Sequence, residues 1–135
     1  MLKETYCSYE VSKLLREKGF NDKCRGGYHS EFDDNDNPIV MFEEWMAQPY
    51  NNDFVDEGFL CSAPTHQMAV RWLREVHKIF ICIEFDAPTF VADMYKMDEI
   101  DEYGCAKHIP PTIANCKTYE EAVESALKYT LEKLV

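Results

Sequence analysis

The residues with the most suggestive spacing for chemistry are oxygen donors. Asp33, Asn35, Asn37 and Glu44 stand at positions 1, 3, 5 and 12 of a calcium-binding loop, with apolar Val40 at position 8. Such a loop wraps a hard divalent cation in carboxylate and amide oxygens. Position 6, however, needs glycine for its sharp turn, and here it is Pro38, whose φ is fixed at about −65°. The flanks GGYHSEF and PIVMFEEW also alternate as strands do. The pattern therefore favours an acidic hairpin turn, DDNDN, and leaves a metal-binding domain as an alternative.

Sulfur and nitrogen donors are more scattered. Cys105-x-x-His108, with Cys116 further on, resembles part of a zinc site, and Cys24 and His29 could add ligands. A second closely spaced cysteine pair is missing, so the set falls short of a structural zinc signature. Six cysteines and four histidines leave a cysteine–histidine nucleophile pair open, but no spacing selects one. His66 and His77 fall on one face of a predicted helix, beside its apolar stripe, which places them on exposed surface. There is no G-x-S-x-G, no phosphate-cradling glycine loop and no H-E-x-x-H. No catalytic residue and no cofactor is assigned. The amino terminus lacks the apolar run and small-residue cleavage site of a secretory signal, so the six thiols are expected free in a reducing cytoplasm. No run approaches the length of a membrane span.

Charge supplies a different lead. The net charge is −11, and Gly26 to Val70 holds nine acids with no lysine or arginine. Ile79 to Ala106 holds seven acids and only Lys96. The remaining segments carry thirteen bases against nine acids, a net +4, and coincide with the predicted helices. Acidic segments of this kind argue against direct contact with nucleic acid phosphates. Within 26–70, aromatic rings are interleaved with the acids. Trp45, Tyr50 and Phe54, with Asp53, Asp56 and Glu57, are the candidate surface for a basic or apolar protein partner. The competing expectation is that the rings are core and the acids a solvated rim. A homodimer whose acidic segments avoid the contact is a further possibility.

These residues need elements to position them. Ser8 can cap a helix over about 8–18, with Cys7, Val11, Leu14 and Leu15 as its stripe and Gly19 as its stop. The hairpin around DDNDN follows. Residues 47–63 read as a long loop, with a short strand near Gly58 to Cys61. Pro64 or Thr65 opens a second helix that buries Met68, Ala69, Trp72, Leu73 and Val76 and turns Arg71, Arg74 and Lys78 outward. It runs almost directly into a strand, Ile79 to Phe85, whose odd residues form an apolar face. Asp86-Ala87-Pro88 turns the chain into a returning strand, Phe90 to Met97. Residues 98–117, with DEIDEY and Pro110-Pro111, read as a surface connection holding at most one short edge strand. Thr118 and Glu121 have capping-box spacing for a last helix, on which Glu124 and Lys128 form an i,i+4 pair.

The length is that of one ordinary domain, and 46% hydrophobic residues suffice for a core. The pattern predicts a single α+β domain over 1–135: a mostly antiparallel sheet with about three helices on one face, two layers, in the order helix–hairpin–helix–hairpin–helix. The shared LRE of SKLLREKGF and VRWLREVHKI hints at a duplicated helix–hairpin unit.

Three helical blocks carry a resemblance. APTHQMAVRWLREVHKI, TYEEAVESALKYTLEKLV and SKLLREKGF resemble a group of small uncharacterised proteins encoded by gut Bacteroides and their phages or prophages. The resemblance implies action inside a bacterial cell and transfers no activity and no site residue. The expectation is a non-enzymatic interaction protein of phage or accessory type. Its rival is a small enzyme or ligand-binding protein with a pocket between the 47–63 loop and the sheet.

Overall fold

A computed structural model describes residues 5–29, 40–41 and 59–135. The chain has an α+β fold, with three helices and two antiparallel sheets among the described residues. It divides into two compact units, Met1–Thr65 and His66–Val135, each with its own three-stranded sheet.

In the first unit, α1 (Tyr9–Glu17) begins as its sequence dictates. The Ser8 hydroxyl accepts from the Val11 amide at 3.2 Å, pairing a donor that the first turn leaves free. Gly19 takes φ +98°, a left-handed value that any Cβ would oppose, and this lets Phe20 fold back and donate to the Leu15 carbonyl. Phe20 is buried with Cys7, Val11 and Leu15. Strand β1 (Gly26–His29) is central, flanked by β2 (Val40–Met41) and β3 (Phe59–Ser62). Gly27 lies opposite Val40, so the expected hairpin pairing is present. The short strand expected near Cys61 is also present, as β3. The Cys7 carbonyl accepts from the Tyr28 phenol and the Ser12 hydroxyl, and Arg16 donates to the Leu60 carbonyl. These bonds tie α1 to β1 and β3.

In the second unit, α2 (His66–Val76) leads to β4 (Ile79–Asp86), β5 (Thr89–Ile100), β6 (Ala106–Cys116) and α3 (Tyr119–Lys133). Lys78 occupies the left-handed region at φ +57°, which makes the near-linkerless turn from α2 into β4. The strands form a meander in the order β4-β5-β6. Ile79, Ile81, Ala92 and Met94 are buried on one face, against Leu127, Leu131 and the rest of the α3 stripe. The Thr130 hydroxyl, fully buried, reaches Met94 Sδ at 3.3 Å. At the start of α3, Thr118 accepts from the Glu121 amide at 3.0 Å. The Glu121 carboxylate returns to the amide of Lys117, one residue earlier than a standard capping box.

Several expectations need correction. One sheet becomes two. The first unit has its first strand at the centre and the second its middle strand, so the shared LRE has no counterpart in strand order. Residues 98–117 contain no mere connection: β5 extends to Ile100, and β6 is an eleven-residue edge strand. Pro110-Pro111 fits there for two reasons: one proline can face the side of an edge strand that has no ladder partner, and the register shifts between Ile109 and Ile113, so the other falls in a bulge. Val76 and Phe85, expected on buried faces, are 57% and 64% exposed; Val76 is the last residue of α2 and Phe85 the last but one of β4. One contact goes beyond these expectations rather than against them: Glu124 pairs with His66 Nε2 on α2 at 2.6 Å, which periodicity within one helix could not show.

Candidate partner-binding surface

The described residues bring forward a different surface from the one the sequence singled out. Trp45, Tyr50, Phe54, Asp53, Asp56 and Glu57 lie outside the described residues, as do Asp33, Asn35, Asn37 and Glu44. The described surface with comparable chemistry is the far end of the β5–β6 hairpin. Successive strand residues point to opposite faces, so the unbroken exposure from Met97 to His108 means that both faces are uncovered. Ile100 is 72% and Tyr103 83% exposed, and Met97 is also exposed. Around them stand Asp98, Glu99, Asp101 and Glu102, with no base between Lys96 and Lys107.

Local chemistry shapes this arm. The register runs from Lys96 opposite Lys107 to Ile100 opposite Ala106, so Met97, Asp98 and Glu99 form a bulge in β5. Glu99 reaches Lys107 at 3.3 Å across the bulge. At the tip, one Asp101 carboxylate oxygen accepts from the amides of Tyr103 and Cys105, each at 2.9 Å. The Asp101 amide donates to the Cys105 carbonyl and the Gly104 amide to the Asp101 carbonyl. Gly104, at φ +81°, supplies the left-handed turn. Tyr103 and Ile100 are thus held on a built turn.

On the sheet face opposite Ala92 and Met94, Asp93 accepts from Thr112 at 2.6 Å and pairs with His108 Nε2 at 2.9 Å. The His108 ring stands edge-on to Tyr95, with centroids 5.3 Å apart. The Thr112 hydroxyl is the main reason the Asp93 carboxyl lies below its ordinary value; partial burial opposes this, and His108 adds to it. Cys82 faces Asp93 across the strands, and its thiol is pushed up, first by burial and then by Glu84 and Asp93. Burial, followed by the same carboxylates, also raises the Tyr95 phenol. This face stabilises protons on sulfur and phenol, the reverse of what activates a nucleophile.

The cysteines of the suggested zinc set are separated by β6. Cys105 precedes that strand at the exposed tip and Cys116 ends it, buried. Eleven strand residues span roughly 30 Å, so the two sulfurs cannot share an ion. In the first unit, burial pushes the thiols of Cys24 and Cys61 up to about 12. His66 and His77, expected on exposed surface, are half-buried, the first against Glu124 and the second edge-on to Trp72.

In the sequence, DEIDEY has the look of an acidic run alone, which hides the arm. The available signal was MDEIDEY followed by glycine: apolar residues spaced among acids just before a turn residue. No helix among the described residues is long and apolar enough to cross a membrane. No protein-family model matches the chain, and neither a curated protein nor a solved structure is significantly similar to it.

Proposed function

We propose that the protein is a non-enzymatic, cytoplasmic accessory protein that binds a basic protein partner through an acidic surface carrying apolar anchors. The observation that carries this reading is the exposure of Ile100 and Tyr103 on a structured hairpin tip among four carboxylates. Tyrosine is favoured at binding hot spots because a large, nearly rigid ring gains contact area at small entropic cost. The surrounding carboxylates would speed encounter with a basic surface and repel nucleic acid and anionic lipid. The groups with displaced acidity, Asp93, Cys82, Tyr95, Cys24 and Cys61, do not line the described cavity, which favours binding over catalysis. The acidic 26–70 segment with Trp45 and Tyr50 belongs to the same reading as a second contact region. The resemblance to phage and prophage proteins is consistent with a partner in a bacterial cell.

Affinity capture from a bacterial lysate, followed by calorimetry on the purified partner, tests the proposal. The expected partner is basic, and its affinity falls about 10- to 100-fold with Ile100→Ala and Tyr103→Ala together. Binding should also weaken as salt rises. A partner retained equally by that variant and by Trp45→Ala/Tyr50→Ala would overturn the proposal.

A further inference from the structure

A cavity of about 340 Å³ opens at the base of the arm, lined by Lys96, Glu99, Lys107, His108, Ile109, Pro110 and Leu134. Its size is at the lower end of small-molecule sites. Lys96 and Lys107 are direct cross-strand partners, an arrangement in which like charges repel and cost stability. Glu99 answers Lys107, but that pair is largely exposed and weak. Among the described residues no carboxylate lies within ion-pair distance of Lys96, which is half-buried. His108 uses Nε2 on Asp93. The lining side chains therefore hold two ammonium groups and one carboxylate, a surplus of one positive charge among them, beside Ile109, Pro110 and Leu134. The bulge at Met97–Glu99 bends β5 at this point, and bulges are over-represented beside functional sites.

From this juxtaposition we infer that the cavity binds an aliphatic monocarboxylate, with its carboxylate between Lys96 and Lys107 and its apolar tail on Ile109, Pro110 and Leu134. A neutral ligand would leave the lysine repulsion unrelieved, and a dianion would exceed the available charge. The negative end of the α3 dipole opposes an anion near Leu134, so the tail occupies that side. That opposing field and the open shape keep the binding weak. The same chemistry is offered by a short free fatty acid and by the carboxyl-terminal apolar residue of a peptide.

The test is a two-dimensional amide NMR titration of the whole chain with hexanoate, N-acetyl-leucine, hexan-1-ol and acetate. Hexanoate or N-acetyl-leucine should shift the amides of Lys96, Lys107, Ile109 and Leu134 in a saturable way. The stronger of the two identifies the source, while hexan-1-ol and acetate should bind at least about tenfold more weakly. Lys96→Met, a change at a half-buried position with spectra to verify folding, should remove the preference for hexanoate over hexan-1-ol. Equal response to acid and alcohol, a preference that survives Lys96→Met, or shifts that miss these residues would each overturn the inference.

Discussion

Strand β5 has two lives. Between Val91 and Lys96 its residues alternate between a buried face under α3 and a polar face carrying Asp93 and Tyr95. Beyond Met97 the same strand is exposed on both faces. The first half is held by tertiary packing, in which α3, with Leu127 and Leu131 buried, covers the face that carries Met94 and Ala92. The second half is held by its own turn, through Asp101 and Gly104. Substitutions that matter for folding should therefore cluster in one half, and substitutions that matter for association in the other.

The largest contrast is chemical and concerns the thiols. Cys105 is exposed at the arm, Cys116 is buried at the covered end of β6, and Cys24 and Cys61 are buried in the first unit. With their thiols near 12 rather than the ordinary 9.0, Cys24 and Cys61 hold about a thousandfold less thiolate at a given pH below 9. Mass-resolved alkylation of the native protein at pH 8 should modify Cys105 first, with Cys24 and Cys61 slower by three orders of magnitude or more. Alkylation of Cys61 at a rate near that of Cys105 would show that the first unit opens readily.

Next in size is packing. Leu127→Ala removes a fully buried side chain from α3 and should cost about 2–5 kcal/mol by denaturant titration. Ile100→Ala, on the same sheet, should change stability by no more than about 0.5 kcal/mol. Equal losses from the two would mean that the arm packs on something in solution and would erase the division within β5.

Much of this layout was legible in the sequence, and the boundary between legible and illegible is physical. All three helices announced themselves through local chemistry: Ser8 and Thr118 as caps, Gly19 as a stop, and stripes at helical spacing. The β4 alternation, Ile79 and Ile81 against Phe80 and Cys82, was also readable, since burial of one face repeats every second residue. Strand β6 was not. Its edge position leaves both the inward period and the demand for backbone donors weak, so Pro110-Pro111 looked like a break. The division into two sheets was illegible for another reason. Whether β1 pairs with β3 or with β4 depends on contacts far apart in sequence, which alternation does not encode. The Asp93–Thr112–His108 cluster likewise forms only when β5 and β6 are brought into register.

That cluster gives a test of intermediate size. Thr112→Val deletes the hydroxyl that most lowers the Asp93 carboxyl, and the loss should be about 1 kcal/mol at neutral pH. A carboxyl held low in the folded state contributes stability above its unfolded value of 3.8, and that contribution disappears as pH falls through the folded value. The gap between wild type and Thr112→Val should thus be full at pH 7 and shrink in acid. Carboxyl-carbon NMR should show Asp93 titrating closer to 3.8 in the variant. A gap that stays constant down to pH 2 would mean that Thr112 acts by packing instead.

The smallest effect belongs to the junction that starts the sheet. Lys78 adopts a left-handed conformation that costs a side-chain-bearing residue about 1–2 kcal/mol, and glycine would not bear that cost. Against this, glycine gives the unfolded chain more freedom and forfeits the bond from Lys78 Nζ to the Glu75 carbonyl, an exposed contact of small value. The Lys78 carbonyl that accepts from the Met97 amide is backbone and survives the change. Lys78→Gly should therefore stabilise the protein by about 0.5 kcal/mol, read as a modest rise in Tm. Because that backbone bond joins the start of β4 to the root of the arm, amide exchange at Met97 should slow in the same proportion, while exchange at Tyr103 should not change. A slowing at both sites would show that the arm opens together with the packed half of β5, and the two would then be one cooperative unit.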